Sequence, residues 1–455
     1  MKKTNKIGEF AMIKEKEFSM ELTFERSFLP TRSSNIKIVA YVDGELKEGL
    51  FRDAVRKLAT KYPYLRSKVI MRDDGTAYLT TEGGKEPEAI VVTGESYADI
   101  LDAIYQEDKK PSNWETDPTS RFILIKGVNG SDVIVAYVQH VVADGRSTVF
   151  VMKHLLELIA DPTKEIEVLT PISMVENAPS DVKIPEMQRS LTEKINEAWA
   201  KEKVTFGVED FIEIAQQKYA PGPDVYVDHT LSVEETNALR NKSKKQGVSV
   251  NAAILAATLI AKKMEESEPT PDKLGFAVDV RKRLNKDSGE ACNLLASGAM
   301  VDPEYKEGMV FWDLAKDIHN KSLAALESNQ NIFMTRMMAQ LTDPTFNDAM
   351  YMFQQGGWEG TPMIKKMGGQ GAPVGAVLTN LGGMQLPAEY RGENPIKLTD
   401  AIFYPPIGSE KVIELGASSL LGKLHIVTLS PQNAINRDLK EKLIPNIIEI
   451  LQKNL

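Results

Sequence analysis

The chain has 455 residues, a formal net charge of −9, 42% apolar and 26% charged residues, and a single cysteine, Cys292. An acidic balance argues against a nucleic-acid partner, which selects a basic surface, but it leaves room for an anionic small ligand held by a few local lysines or arginines. One cysteine excludes an intramolecular disulfide framework and a cysteine-built metal site, and the length calls for two domains of roughly 200 residues rather than one core.

Met1 to Lys6 carries the charge of a signal n-region, yet no apolar h-region follows it. The longest mostly apolar stretch, Val248 to Ala261, is too short and too polar to span a bilayer. A reduced, cytoplasmic setting without a membrane span is therefore expected. In chain order, Ile36 to Val42 alternates as a half-buried strand, and Phe51, Val55, Leu58 and Ala59 recur at helical spacing. Pro63 ends that helix and leads to a strand over Leu65 to Met71. Strands over Phe122 to Lys126 and Val133 to Val138 flank a turn-rich Gly127 to Asp132, as a hairpin would.

From Ser147 the apolar residues fall on one helical face. Residues 161–189, with Pro162, Pro171, Pro179 and Pro185, read as a linker. A long helix over about 190–218 opens the second half. Ser232 to Glu235 has capping-box spacing and starts a helix ending near Gly247. Ser249 then caps an apolar, buried helix. Leu274 to Val280, Ala296 to Val301, Ala376 to Thr379 and Leu424 to Leu429 read as strands, and a helix over about 437–453 closes the chain. The pattern is α/β in two halves, divided as 1–175 and 176–455.

The chemistry concentrates at Gln139-His140-Val141-Val142-Ala143-Asp144-Gly145, between the Val133 to Val138 strand and a helix. An imidazole at a strand end, followed by an acid and a glycine, is well placed for a general base. His154, His229, His319 and His425 lack that context and read as structural. A zinc site needs three protein ligands, which the His140/Asp144 spacing does not supply, so no metal is expected. No Gly-x-Ser-x-Gly elbow is present. Gly368 to Gly375 has the wrong spacing for a dinucleotide loop, and Pro373 sits where a helix should begin. Met334, Met337, Met338, Met350, Met352 and Met363 fit core filling, or a pliable pocket wall.

The cluster resembles the His-His-x-x-x-Asp-Gly signature of the CoA-dependent acyltransferases with the chloramphenicol-acetyltransferase fold, with Gln139 in place of the first histidine. That superfamily includes condensation domains, alcohol acetyltransferases and polyketide-associated acyltransferases. Tyr62-Pro63-x-Leu65-Arg66, Val278-Asp279-Val280-Arg281 and Val377 to Gly382 resemble its further motifs, in the expected order. The resemblance implies two similar halves, mixed sheets with flanking helices, around a central channel.

It also implies transfer of an acyl group from acyl-CoA, such as acetyl-CoA, to a small alcohol or amine, with no permanently bound cofactor. His140 is then the base. Asp144 forms a structural ion pair with Arg281, Gly145 meets a conformational requirement of the turn, and Thr379 and Asn380 are the oxyanion and channel candidates. A monomer is expected. An acyl-carrier protein is the alternative donor, and a catalytically silent ligand-binding protein on the same scaffold is the alternative of another class.

Overall fold

The run Val133 to Val138 has no polar residue because both faces of its strand are covered. In the computed structural model, which describes residues 17–29, 34–110, 112–218, 225–265, 271–354, 358–368, 374–406, 412–430 and 437–455, this strand spans Ser131–Gln139. It lies inside a six-stranded mixed sheet, ordered Glu389–Tyr390, Ile396–Tyr404, Asn35–Asp43, Ser131–Gln139, Ser120–Val128 and Glu88–Thr93. Its pairings are antiparallel except the last.

On one face Ile36, Ile38, Ile134, Ala136 and Val138 share a core with Phe51, Val55 and Leu58 of helix Glu48–Lys61 and with Val149, Met152 and Leu155 of helix Gly145–Ala160. On the other face Val39, Ile123, Val133 and Val135 meet Ile100 and Ile104 of helix Tyr97–Asp108, together with Val427 and Leu429. The second six-stranded mixed sheet runs Ala296–Val301, Leu274–Asp279, Ala376–Gly383, Ile413–Leu420, Lys423–Ser430 and Val225–Leu231. Its core is built on helix Val250–Glu265, which packs between Phe311–Glu327 and Arg437–Lys453. A small three-stranded sheet joins Ser19–Glu21, Ala77–Thr80 and Lys68–Met71. The α/β class with two mixed sheets and flanking helices is thus the observed one.

Several local readings are corrected. The helix expected over 190–218 is two helices, Glu186–Trp199 and Val208–Lys218. After Trp199, which is buried and donates its indole N–H to Thr345 Oγ1 at 2.8 Å, the chain leaves the helix. It restarts where Asp210 accepts from Gly207 N at 2.7 Å. The strand expected from Leu65 begins at Lys68, because Pro63–Arg66 winds into a 3₁₀ turn. Most of the glycine-rich segment, residues 369–373, and the charged Met1 to Lys6 lie outside the described residues.

Other expectations stand. Ser232 and Glu235 form a capping box, and Gly247 closes that helix at φ 71°. Met352 is buried in the first core, Met337 packs on the second, and Met350 and Met363 pack around Trp199. Among the described residues no single helix is long and apolar enough to cross a membrane. One pair, Val233–Gln246 and Val250–Glu265, passes the same test only jointly and is bent by 98°.

The sheets are not segregated along the chain. Strand Ile396–Tyr404 crosses back to pair with Asn35–Asp43 in the first sheet, bringing Phe403 into the first core at 1% exposure. Truncating such a side chain removes its transfer energy and leaves a cavity, at a typical cost of about 3–5 kcal/mol. Phe403→Ala is therefore expected to lower unfolding stability by that amount in urea titration. A loss below about 1 kcal/mol would show that the crossing strand is not part of the cooperative core.

Candidate active site

The Ser131–Gln139 strand ends at the seam between the two sheets, and the next residues turn sharply. His140 N donates to Ser34 O at 2.7 Å, and Val142 N to Gln139 O at 3.1 Å. The His140 ring is fixed by its own turn, since Nδ1 lies 2.7 Å from the Ala143 carbonyl oxygen. A carbonyl only accepts, so Nδ1 carries the proton and the neutral ring keeps its lone pair on Nε2. Among the described residues nothing is hydrogen-bonded to Nε2. Burial is the largest influence on this imidazole and holds its pKa below the ordinary value; the cationic Arg336 pushes the same way, against the Ala143 carbonyl and Asp144. His140 is therefore neutral and basic at Nε2 near pH 7.

Asp144 points away from the imidazole and does not orient it. Its side chain caps helix Gly145–Ala160, accepting from Ser147 N at 2.8 Å, and also accepts from Leu295 N at 2.8 Å. The Arg281 guanidinium meets it in a fork, Nη1 to Oδ2 at 3.0 Å and Nη2 to Oδ1 at 2.9 Å. Arg281 also donates to Ser147 Oγ and to Asp279 Oδ1. Burial alone would raise the Asp144 pKa, but Arg281 and the backbone donors outweigh it and hold the carboxyl below its usual range.

The same strand-to-helix segment is tied to the second half at further points. Asp144 N donates to Asn293 O at 3.1 Å, Ser147 Oγ to Asn293 O at 2.7 Å, and Arg146 Nη2 to Leu381 O at 2.9 Å. Gly145 is not in the left-handed region, and side chains from the second half approach it closely. A Cβ here would sit 2.6 Å from Leu381 Cδ2 and 3.3 Å from Phe403 Cε2.

Thr379 and Asn380 lie half-buried on Ala376–Gly383, just before Leu381. Neither side chain is bonded to His140. The Asn380 amide donates to Asn251 Oδ1 at 2.5 Å and accepts from Gly382 N at 2.7 Å. Gln139, the last residue of its strand, donates to Ser112 Oγ at 2.9 Å.

The other histidines are held structurally where contacts are seen. His154 Nδ1 meets Tyr62 Oη at 2.5 Å and its Nε2 lies 3.0 Å from Glu290. Burial, aided by neighbouring lysines, brings its pKa down to about 3. His425, read from sequence as having no nearby acid in a turn, contacts Asp400 Oδ1 at 2.9 Å across the sheets. No three His, Cys, Asp or Glu side chains among the described residues come together as metal ligands.

Sequence reasoning missed the residues that cover His140. A 3₁₀ turn, Glu25–Phe28, stacks the Phe28 ring 4.1 Å from the His140 ring, centroid to centroid, at 35°. Two buried ion pairs from the second half hold this turn. Arg336 Nη1 donates to Glu25 Oε1 at 2.7 Å, and Arg26 Nε donates to Asp348 Oδ1 at 3.1 Å. Burial lowers the Arg336 pKa to about 10. Each partner is more than 300 positions away in the chain, so no local spacing could have revealed the clamp.

Three comparisons bear on this geometry. Residues 220–348 match the family described as phthiocerol/phthiodiolone dimycocerosyl transferase C-terminus, and no curated protein matches by sequence. Among solved structures, the trichothecene 15-O-acetyltransferase TRI3 of Fusarium sporotrichioides superimposes with a TM-score of 0.69 at 13% identity, over 96% of this chain and 95% of its own. Polyketide synthase associated protein 5 of Mycobacterium tuberculosis gives 0.58 at 18% identity, over 94% and 95%. A mutant starter condensation domain of rhizomide synthetase, solved with C8-CoA and Leu-SNAC, gives 0.60 at 13%, over 94% and 90%. The chain has the two-lobed fold shared by these acyltransferases and condensation domains.

Two outcomes test the site. Removing one partner of a buried pair typically costs about 3–5 kcal/mol, so Asp144→Ala should lose that much in chemical denaturation at pH 7. Because the folded Asp144 pKa lies below its unfolded value, this contribution is present above about pH 4 and disappears as pH falls through the folded pKa. A loss under about 1 kcal/mol would contradict the role of the pair. Phe28→Ala admits water to the imidazole, so the acid limb of kcat/KM should move up toward about 6.5; a limb unchanged from the wild-type chain would show that the ring contact is incidental.

Proposed function

We propose that the chain transfers an acyl group from an acyl-CoA thioester, acetyl-CoA among them, to a small alcohol or amine, with His140 as general base. The observation that carries the reading is the His140 tautomer. With Nδ1–H committed to Ala143 O, the Nε2 lone pair is not bonded to any described residue. An alcohol or amine is a weak nucleophile while it keeps its proton. Nε2 takes that proton as the nucleophile attacks the thioester carbonyl, and returns it to the departing thiolate. No covalent enzyme intermediate is needed.

Thr379 and Asn380 are the proposed donors to the tetrahedral oxyanion, Asn380 through the amide hydrogen not used by Asn251. Asp144 and Arg281 act by holding the loop, and Gly145 by admitting Leu381. The division at 175/176, a monomer, a cytoplasmic setting and the absence of a permanently bound cofactor belong to the same reading. The condensation-domain neighbours support a second donor, an acyl-carrier thioester, which direct competition between acetyl-CoA and a phosphopantetheinylated carrier separates from CoA.

General-base groups typically contribute about 10²–10⁴-fold. Thiol release from acetyl-CoA with a panel of alcohols and amines should fall by that factor in a folded His140→Ala variant. Unchanged turnover in that variant would remove the mechanism. In the wild-type chain, the acid limb of kcat/KM should lie below about 6.5, because His140 stays neutral to lower pH than a solvated imidazole.

A further inference from the structure

The two sheets also meet away from His140. Tyr41 lies six residues beyond Asn35, the strand partner of Gln139, and so stands roughly 20 Å from the catalytic turn. Beside it opens a cavity of about 340 Å³, within the range of small-ligand sites, roughly 300–1,000 Å³. Tyr41, Thr399 and Asp400 reach it from the first sheet, Asp228 and Lys423 from the second, and Tyr97 from the start of helix Tyr97–Asp108.

The crossing strand is irregular here. Leu398 pairs with Val42 and Asp400 with Tyr41, so Thr399 is the extra residue of a β-bulge. Regular alternation would send Thr399 and Asp400 to opposite faces, whereas the bulge brings both to the cavity.

Two of the polar groups in this wall are unanswered. Asp400 is not one of them, since His425 Nε2 lies 2.9 Å from its Oδ1 and Lys423 Nζ donates to its Oδ2 at 3.1 Å. Asp228 is half-buried and accepts from the Tyr97 hydroxyl through Oδ1. Among the described residues nothing donates to its Oδ2 and no cation pairs with it. The Tyr41 hydroxyl has no hydrogen bond there either. Burial, then Asp228 and Asp400, push the Tyr41 phenol up, so it stays protonated. Thr399 Oγ1 donates to Tyr41 O at 3.2 Å and keeps its own lone pairs open.

Taking a carboxylate out of water is costly unless it is paired. A primary ammonium would pair it. Its three N–H donors match in number the open acceptors on Asp228, Tyr41 and Thr399, and tyrosine rings attract cations. An anion would instead meet two carboxylates, with Lys423 already committed to Asp400.

We propose that this cavity is a binding site, separate from the His140 centre, for a small organic molecule carrying a primary ammonium group. Such binding requires no acyl transfer.

Calorimetric titration of the full chain at pH 7 and low salt compares three probes of similar shape: phenethylammonium, 2-phenylethanol and phenylacetate. Phenethylammonium is expected to bind at least about tenfold more tightly than either of the others, the scale of a hydrogen bond to a charged group. Asp228→Asn keeps the shape and the Tyr97 contact but removes the charge, and is expected to erase that advantage. Tyr41→Phe removes one open acceptor and is expected to weaken phenethylammonium about fivefold; it supplies a second reading if Asp228→Asn does not fold. His140→Ala is expected to leave the affinity unchanged. No binding of phenethylammonium at millimolar concentration, equal or tighter binding of phenylacetate, or an unchanged affinity in a folded Asp228→Asn or Tyr41→Phe variant overturns the proposal. Loss of binding in folded His140→Ala also overturns it, because the ligand would then sit at the catalytic turn.

Discussion

The site depends on one buried ion pair. Asp144 is 2% exposed and accepts from Arg281 twice, from Ser147 N and from Leu295 N. A carboxylate taken out of water this completely is tolerable only when its lone pairs are filled by fixed donors. Those donors come from the helix it caps, from the segment around residue 295, and from the 3₁₀ turn that follows strand Leu274–Asp279. The pair therefore sets where the first half meets the second, and with it the turn that carries His140.

The imidazole inherits its properties from that frame. The turn ends at Ala143, whose carbonyl selects the tautomer, so the basic nitrogen is chosen by backbone geometry rather than by an acid. The Glu25–Phe28 turn covers the ring, and its two ion pairs draw on helices Asn329–Ala339 and Pro344–Gln354 of the second half. A shift of one half against the other would thus disturb both the turn beneath His140 and the ring that shields it. Burial then lowers the imidazole pKa, which keeps it neutral without a partner acid.

Much of the first half was legible in sequence because its signals are local. The apolar Val133 to Val138 and the Pro63 stop each fix an element within a few residues, as the Ser232 capping box does in the second half, whereas the alternation over Ile36 to Val42 marked a strand but not its burial on both faces. Asp144 and Arg281 came together through motif resemblance, not through any spacing between them. What stayed hidden is non-local. Strand Ile396–Tyr404 joins the first sheet across more than 350 positions, and Phe28, Arg336 and Asp348 have meaning only after both halves are folded. The approach of Leu381 and Phe403 to Gly145 is likewise non-local, and no local pattern reveals it.

The central claim is that His140 presents an unprotonated Nε2 at the seam while Nδ1–H is held by Ala143. Nitrogen-15 NMR of the histidine-labelled chain, with the His140→Ala spectrum assigning the signal, reads this directly. The account predicts a protonated Nδ1 and a bare Nε2 throughout the neutral pH range. A ring protonated at Nε2, or one doubly protonated at pH 7, would contradict it.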